Sequence, residues 1–210
     1  MYKIYDDYIS KEIADKIEKT LLDRKYLWNY GNHTVHEEVP DPQMFHLLHM
    51  FNPIIGMRNG KSIVGEGKTT KSDFFYLVED LLSEIKKNTD IELENKVLYR
   101  AKSTILFPNA VSQKKESEIH IDFGDNQSTR INILYYANES DGDTILYESD
   151  AKTIMKRISP KKGRFVLFSG DIPHCASSPT ESYKRVVMNI NFGSSKTFYR
   201  TLYDDQSTVW

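Results

Sequence analysis

The sequence predicts a mainly β protein with flanking helices, an α+β arrangement whose strands build a sandwich or barrel. Three observations carry that prediction. After Asp90 the chain breaks into short runs rich in β-branched and aromatic residues, namely VLYRAKSTILF, SEIHIDF, RINILYYAN, DTILYE, TIMKRIS, RFVLF and KRVVMNINF, parted by turn-forming residues. Seven or eight strands in about 110 residues, with no helix between them, argue against a parallel α/β fold. Helical periodicity is confined to the first 90 residues or so.

Ser10 precedes KEIADKIEKTLLDRKY, in which Ile13, Ile17, Leu21 and Leu22 recur at helical spacing. Its hydroxyl can accept an otherwise unpaired backbone N–H, so an amphipathic helix of about 15 residues is expected there. Between Trp28 and Gly67 the pattern is broken by Gly31, Pro40, Pro42, Pro53, Gly56 and Gly60, which predicts loops and short strands, with a short helix around MFHLLHMF. From Ser72, SDFFYLVEDLLSEIKKN sets Phe74, Leu77, Val78, Leu81, Leu82 and Ile85 on one broad face, with Ser72 or Asp73 as cap. A face that wide is expected to pack against a sheet. The chain reads as one domain over residues 1–210, with helical and loop support over about 1–90 and a strand core over about 91–195.

Composition narrows the function classes. Lys and Arg total 28 against 30 Asp and Glu, and the pI is near 6.3, so there is no whole-protein attraction to nucleic acid or anionic lipid. Cys175 is the single cysteine, which excludes an internal disulfide and a Cys-based zinc site. The opening MYKIYDDYISKEIADKIEK carries charges where a signal peptide needs an apolar run, and no stretch reaches the roughly 18 to 20 apolar residues of a membrane span. A soluble, cytoplasmic protein without a membrane partner is expected.

The chemistry concentrates in three places: His120-Ile121-Asp122, then His174, then Arg185. On a strand, residues two apart face one side, so His120 and Asp122 project together and could bind one metal ion. His174 can provide a third ligand, giving two imidazoles and a carboxylate, the facial set that holds Fe(II) and leaves coordination positions open. A lone His-x-Asp means little; a second His 52 residues after Asp122 and an Arg 11 beyond it make the pattern specific. Arg185 shares a strand face with Val187, Asn189 and Asn191, and a guanidinium there can bind a carboxylate bidentately, whereas the pleat sends Lys184 to the other side.

These segments, HIDF, RINILYYAN, DGDTILY, KKGRFVLFSGDIPH and KRVVMNINF, together resemble the Fe(II)- and 2-oxoglutarate-dependent dioxygenases, particularly the prolyl 4-hydroxylase-like branch and similar short enzymes of phages. The likeness covers most of residues 97–192, and YDDYISKEIADKI looks like the family's opening strand and helix. It implies a double-stranded β-helix (jelly-roll, cupin-like) core with the N-terminal helices packed on one sheet. His120, Asp122 and His174 become the catalytic iron ligands, and Arg185 the partner of the distal carboxylate of 2-oxoglutarate. YYAN is similar to the YYLN segment of prolyl hydroxylases, which makes Tyr136 a hydroxyl donor to that carboxylate. Many relatives also carry a tyrosine shortly before the His-x-Asp, and LFPNAVSQKKESE has none. The implied reaction takes O2 and 2-oxoglutarate, releases succinate and carbon dioxide, and hydroxylates a C–H bond of a peptide, prolyl above all, or of a small molecule. Related halogenases lack the carboxylate ligand, so Asp122 points to hydroxylation.

Other readings stand beside this one. The same pocket could serve a non-catalytic, cupin-like protein that binds a metal or small carboxylate, or the chain could be a structural virion component. A nucleic-acid substrate is disfavoured by the lack of a concentrated basic run. Core or surface roles are favoured for His33, His36, His46 and His49, a turn role for Asp125, and solvated faces for the lysine pairs at 86–87, 114–115 and 161–162. Cys175 is expected to point away from the metal side as a structural thiol.

Overall fold

The computed structural model describes residues 1–31, 46–53, 55–58, 61–64, 71–93, 96–108, 116–122 and 130–194. His33, His36, Asp125 and Lys114–Lys115 lie outside them. A first strand, β1 (Tyr2–Tyr5), leads into helix α1 (Lys11–Leu21), where the Ser10 hydroxyl accepts the Ile13 N–H and Ala14, Ile17 and Leu21 form the buried face. The helix stops short of the 15 residues expected because the Asp23 carboxylate takes the Lys25 N–H, a local turn that competes with another helical turn. Strands β2 (Asn29–Gly31), β3 (His46–Pro53), β4 (Ile55–Arg58) and β5 (Lys61–Val64) follow, then α2 (Tyr76–Asn88). Ser72 does cap that region, but on the turn before the helix, where its hydroxyl accepts the Phe74 N–H. The rest is β6 (Lys96–Leu106), β7 (Ile131–Tyr136), β8 (Thr144–Tyr147), β9 (Ile154–Ile158), β10 (Phe165–Ser169), β11 (His174–Ala176) and β12 (Arg185–Ser194).

Two expectations about local structure are corrected. The short helix expected around MFHLLHMF is not found in its described part: His46–Pro53 is strand β3, antiparallel to β6. Its apolar run is short enough to suit either period, and pairing along β6 decides it. SEIHIDF is not a continuous strand either. It touches the sheet at two isolated bridges, Glu116 with Ser177 and His120 with His174. Between them the Ser117 side chain, rather than a backbone carbonyl, accepts the Ala176 N–H, which interrupts the ladder.

The strands form a seven-stranded antiparallel sheet in the order β1-β10-β7-β12-β6-β3-β2 and a three-stranded sheet β11-β8-β9, with β4 and β5 as a separate hairpin. Period-two alternation gives the large sheet two different faces. Ile133, Tyr135, Phe165, Leu167, Val186, Met188, Ile190, Ala101 and Ile105 face the helices and form one core with Ile17, Leu21, Leu77, Val78, Leu81 and Ile85. The intervening residues, Leu134, Tyr136, Val166, Phe168 and Val187, pack with Leu146 of the small sheet in a second cluster. The helices thus cover one face, and the other is free to build a cavity with the small sheet. Among the described residues no helix is long and apolar enough to cross a membrane.

Candidate active site

The bridge between His120 and His174 sets the geometry. Each residue donates its backbone N–H to the other's carbonyl, at 3.0 and 2.8 Å, so the two imidazoles emerge side by side with centroids 4.5 Å apart. The Nδ1 of His120 lies 3.0 Å from the Glu118 carbonyl and the Nδ1 of His174 lies 2.9 Å from that of Ile172. A carbonyl only accepts, so each Nδ1 carries a proton, which makes Nε2 the lone-pair nitrogen of each ring in its neutral form. Burial first, and the neighbouring His174 second, push the His120 pKa down to about 4, which keeps that ring neutral at neutral pH. Phe168 packs edge-on against His174 at 5.0 Å.

Asp122 completes the cluster. Ligand atoms of His120, Asp122 and His174 all lie within 4.8 Å of one another, close enough to hold one metal ion. The carboxylate is buried and held in direction: Arg100 donates to Oδ1 at 2.6 Å, and the Asn189 and Asn191 amides donate to Oδ2 at 3.0 and 3.1 Å. Burial raises its pKa, but the Arg100 guanidinium, the two histidines and Lys102 outweigh that and hold it well below the usual carboxylate range. Asn191 is fixed in turn, donating to Asn132 at 2.7 Å and accepting from Arg100 Nε at 2.7 Å. Two neutral nitrogens and one carboxylate suit Fe(II) and leave part of its coordination sphere open.

His120 and His174 open onto a pocket that His46, Lys102, Leu134, Phe168 and Val187 also line. Arg185 lines this pocket while Lys184 does not, and the residue is 3% exposed. Its Nε donates to the Gly142 carbonyl at 2.8 Å and its Nη2 to Thr144 Oγ1 at 2.7 Å. A Cβ on Gly142 would sit 2.7 Å from the Ser177 carbonyl and 3.1 Å from the Arg185 Cδ, so only glycine lets the backbone come this close. Tyr136 stands behind this wall rather than in it: its hydroxyl donates to Thr144 Oγ1 at 2.7 Å and its ring lies 5.7 Å from the guanidinium carbon. Burial pushes its pKa up, so the hydroxyl stays a donor.

Sequence reasoning missed Arg100, Lys102, Thr144, Asn189, Asn191 and the cavity-lining His46. Their signal is alternation inside strands buried on both faces: Arg100, Lys102 and Thr104 interleave with Ala101, Ser103 and Ile105, and Asn189 and Asn191 with Met188 and Ile190. His49, by contrast, is a core residue on the helix side, between the Leu27 carbonyl and the Ser72 hydroxyl at 2.7 Å each. Cys175 turns away to pack with Ile145 and Tyr147, and burial raises its pKa, so it is no thiolate nucleophile.

Residues 106–193 match the family model described as the 2OG-Fe(II) oxygenase superfamily. That segment is a 2OG-Fe(II) oxygenase domain. It contains the pair of bridged histidines, Asp122 and Arg185, and as a dioxygenase of this family it works with Fe(II), 2-oxoglutarate and O2. Solved structures share the double-stranded β-helix fold of the oxygenase. A prolyl hydroxylase from Trichoplax adhaerens, in complex with a hypoxia inducible factor oxygen degradation domain peptide fragment, aligns at a TM-score of 0.63 and 13% identity over 93% of this chain and 84% of that one. A Pseudomonas putida prolyl-4-hydroxylase gives 0.55 and 15% over 92% of both chains. HygX from Streptomyces hygroscopicus, with nickel and 2-oxoglutarate bound, gives 0.56 and 10% over 92% and 83%. No curated protein matches the sequence.

Proposed function

We propose that the oxygenase hydroxylates a C–H bond of an organic substrate, a prolyl residue being the first to test, with His120, Asp122 and His174 as the iron ligands and Arg185 as the anchor of 2-oxoglutarate. The observation that carries this reading is the convergence of two bare imidazole nitrogens and a carboxylate on a pocket that also holds a buried guanidinium. Bound there, Fe(II) and 2-oxoglutarate supply the oxidising chemistry: O2 leaves one oxygen in succinate and one in the hydroxylated product, and carbon dioxide is released. The chain does the positioning. Glu118 and Ile172 orient the imidazoles, while Arg100, Asn189 and Asn191 hold the acid ionised and fixed in direction. Arg185 and the Thr144 hydroxyl form one end wall able to receive a carboxylate, with Tyr136 locking Thr144 from behind. Leu134, Val187 and Phe168 supply apolar surface between the ends, which limits water beside the reacting atoms.

The prolyl assignment draws on the resemblance of YYAN and HIDF to prolyl hydroxylase segments and on the two prolyl hydroxylases among the solved structures. The test is incubation of the iron-loaded protein with 2-oxoglutarate in air and a panel of proline-containing peptides, free proline and other amino acids, read by mass. A gain of one oxygen on a proline, with matching succinate, is expected. Succinate release coupled to oxygen gain on a different compound would keep the hydroxylase and replace the substrate. Iron-loaded protein that never turns over 2-oxoglutarate would favour the non-catalytic binding reading.

A further inference from the structure

Among the described residues, a lysine in the oxygenase cavity has no hydrogen-bond or ion-pair partner. Lys102 lines the pocket on β6, beside Asn189 of β12, and it makes no hydrogen bond or ion pair with any described residue. Its surroundings are unfavourable for a cation. Burial first and the nearby Arg100 second lower its pKa to about 8, and the attraction of Asp122 recovers only part of that. Asp122 attracts it from a distance but is not its hydrogen-bond partner; the carboxylate instead accepts from Arg100, Asn189 and Asn191. Arg185 is a separate station: it stands opposite Leu106, four residues along β6 from Lys102, or roughly 13 Å of strand.

We propose that Lys102 is a carboxylate-binding residue on the metal side of the cavity, placed to select a substrate that carries an acidic group near the reacting carbon. This rests on the reading of the site given above. Among the described residues, three side-chain cations, Arg100, Lys102 and Arg185, stand in or beside the cavity against two carboxylates, Asp122 near Arg100 and Lys102 and Asp143 near Arg185, before any metal dication is counted. A 2-oxoglutarate dianion would leave a positive surplus, its near carboxylate being the group that would go to a metal held by His120, Asp122 and His174. A second anion would both neutralise the surplus and give Lys102 the partner that its burial calls for. Two sources share that chemistry, the substrate's carboxylate and the cosubstrate's near carboxylate. The charge balance favours the substrate's, and among prolyl compounds it favours free proline or a C-terminal prolyl residue over an internal one.

The experiment uses Mn(II)-loaded protein, wild type against Lys102→Met and Lys102→Arg, with circular dichroism confirming the fold of each. Calorimetry gives the affinity for 2-oxoglutarate and for 2-oxobutyrate, which lacks the distal carboxylate. Melting of the 2-oxoglutarate-saturated protein is then followed in acetate, with acetamide as the neutral control. Acetate is expected to raise the wild-type and Lys102→Arg melting temperatures above the acetamide curve and to leave Lys102→Met unmoved. A loss of roughly tenfold or more in affinity of Lys102→Met for both keto acids alike would also support a carboxylate at Lys102, and would make it the cosubstrate's own. Lys102→Met indistinguishable from wild type in every arm overturns the proposal while leaving the site intact. Wild type that binds neither Mn(II) nor 2-oxoglutarate overturns the reading of the site and this proposal with it.

Discussion

At the scale of single residues, the site depends on groups that leave an atom available. His120 and His174 each commit Nδ1 to a backbone carbonyl and so expose Nε2. Arg185 commits Nε and Nη2 to Gly142 and Thr144 and faces the pocket from a fixed direction. Two outcomes are expected from that arrangement. Arg185→Gln removes a charge-assisted pair, and the 2-oxoglutarate dissociation constant should rise by roughly 10- to 100-fold while the metal still binds. A calorimetric titration with unchanged affinity would show that some other residue anchors the cosubstrate. Gly142→Ala should weaken 2-oxoglutarate binding as well, without touching a ligand, because the new methyl meets the Ser177 carbonyl and the arginine side chain. Equal dissociation constants for Gly142→Ala and wild type would mean that this close approach does not hold the guanidinium.

At the scale of elements, the loop after the site and helix α2 on the far side of the sheet each carry a testable contribution. The loop between β11 and β12 is organised by Asp141, whose carboxylate accepts the backbone N–H groups of Thr180, Glu181 and Ser182 and the Thr180 hydroxyl. Partial burial pushes its pKa up, and these four donors more than reverse that, holding it far below the usual range. A carboxyl depressed in the folded state stabilises the fold above its unfolded pKa of about 4, and that contribution is lost as the pH falls through the folded value. Asp141→Asn should therefore destabilise by about 1 kcal/mol at neutral pH and make the fall in Tm below about pH 4 shallower than in wild type. Parallel Tm curves for the two proteins would contradict this. Helix α2 contributes its apolar face: Leu81 is fully buried on the sheet face remote from the pocket. Leu81→Ala should cost about 2–5 kcal/mol in denaturant unfolding and leave the metal affinity of the folded protein unchanged.

At the scale of the whole molecule, sequence and structure agree where a pattern is long or a spacing is chemically specific. Both helices were legible from apolar periodicity, and six of the seven later strands, β6 to β10 and β12, from β-branched runs bounded by turns, while the three-residue β11 was not. His120, Asp122 and His174 were legible as a group because few other arrangements need an acid two residues after one histidine and a second histidine on a distant strand. β3 was not, since HLLHMF satisfies both periods and only the open edge of β6 selects one. Nor were the groups that fix Asp122. Arg100 and Asn191 lie 22 and 69 residues from it in the chain, and it is the closing of β6 against β12 that brings them together. Thr144 escaped notice for a related reason, as its hydroxyl gains meaning only between Tyr136 and Arg185. The measurement that tests the central claim most directly is an anaerobic titration of the protein with Fe(II) and then 2-oxoglutarate, followed by visible absorption. One equivalent of each should produce the weak charge-transfer band of an iron-bound keto acid in wild type and no band in Asp122→Ala. A folded wild-type protein without the band, or a variant that keeps it in full, would contradict an iron centre built on these three side chains.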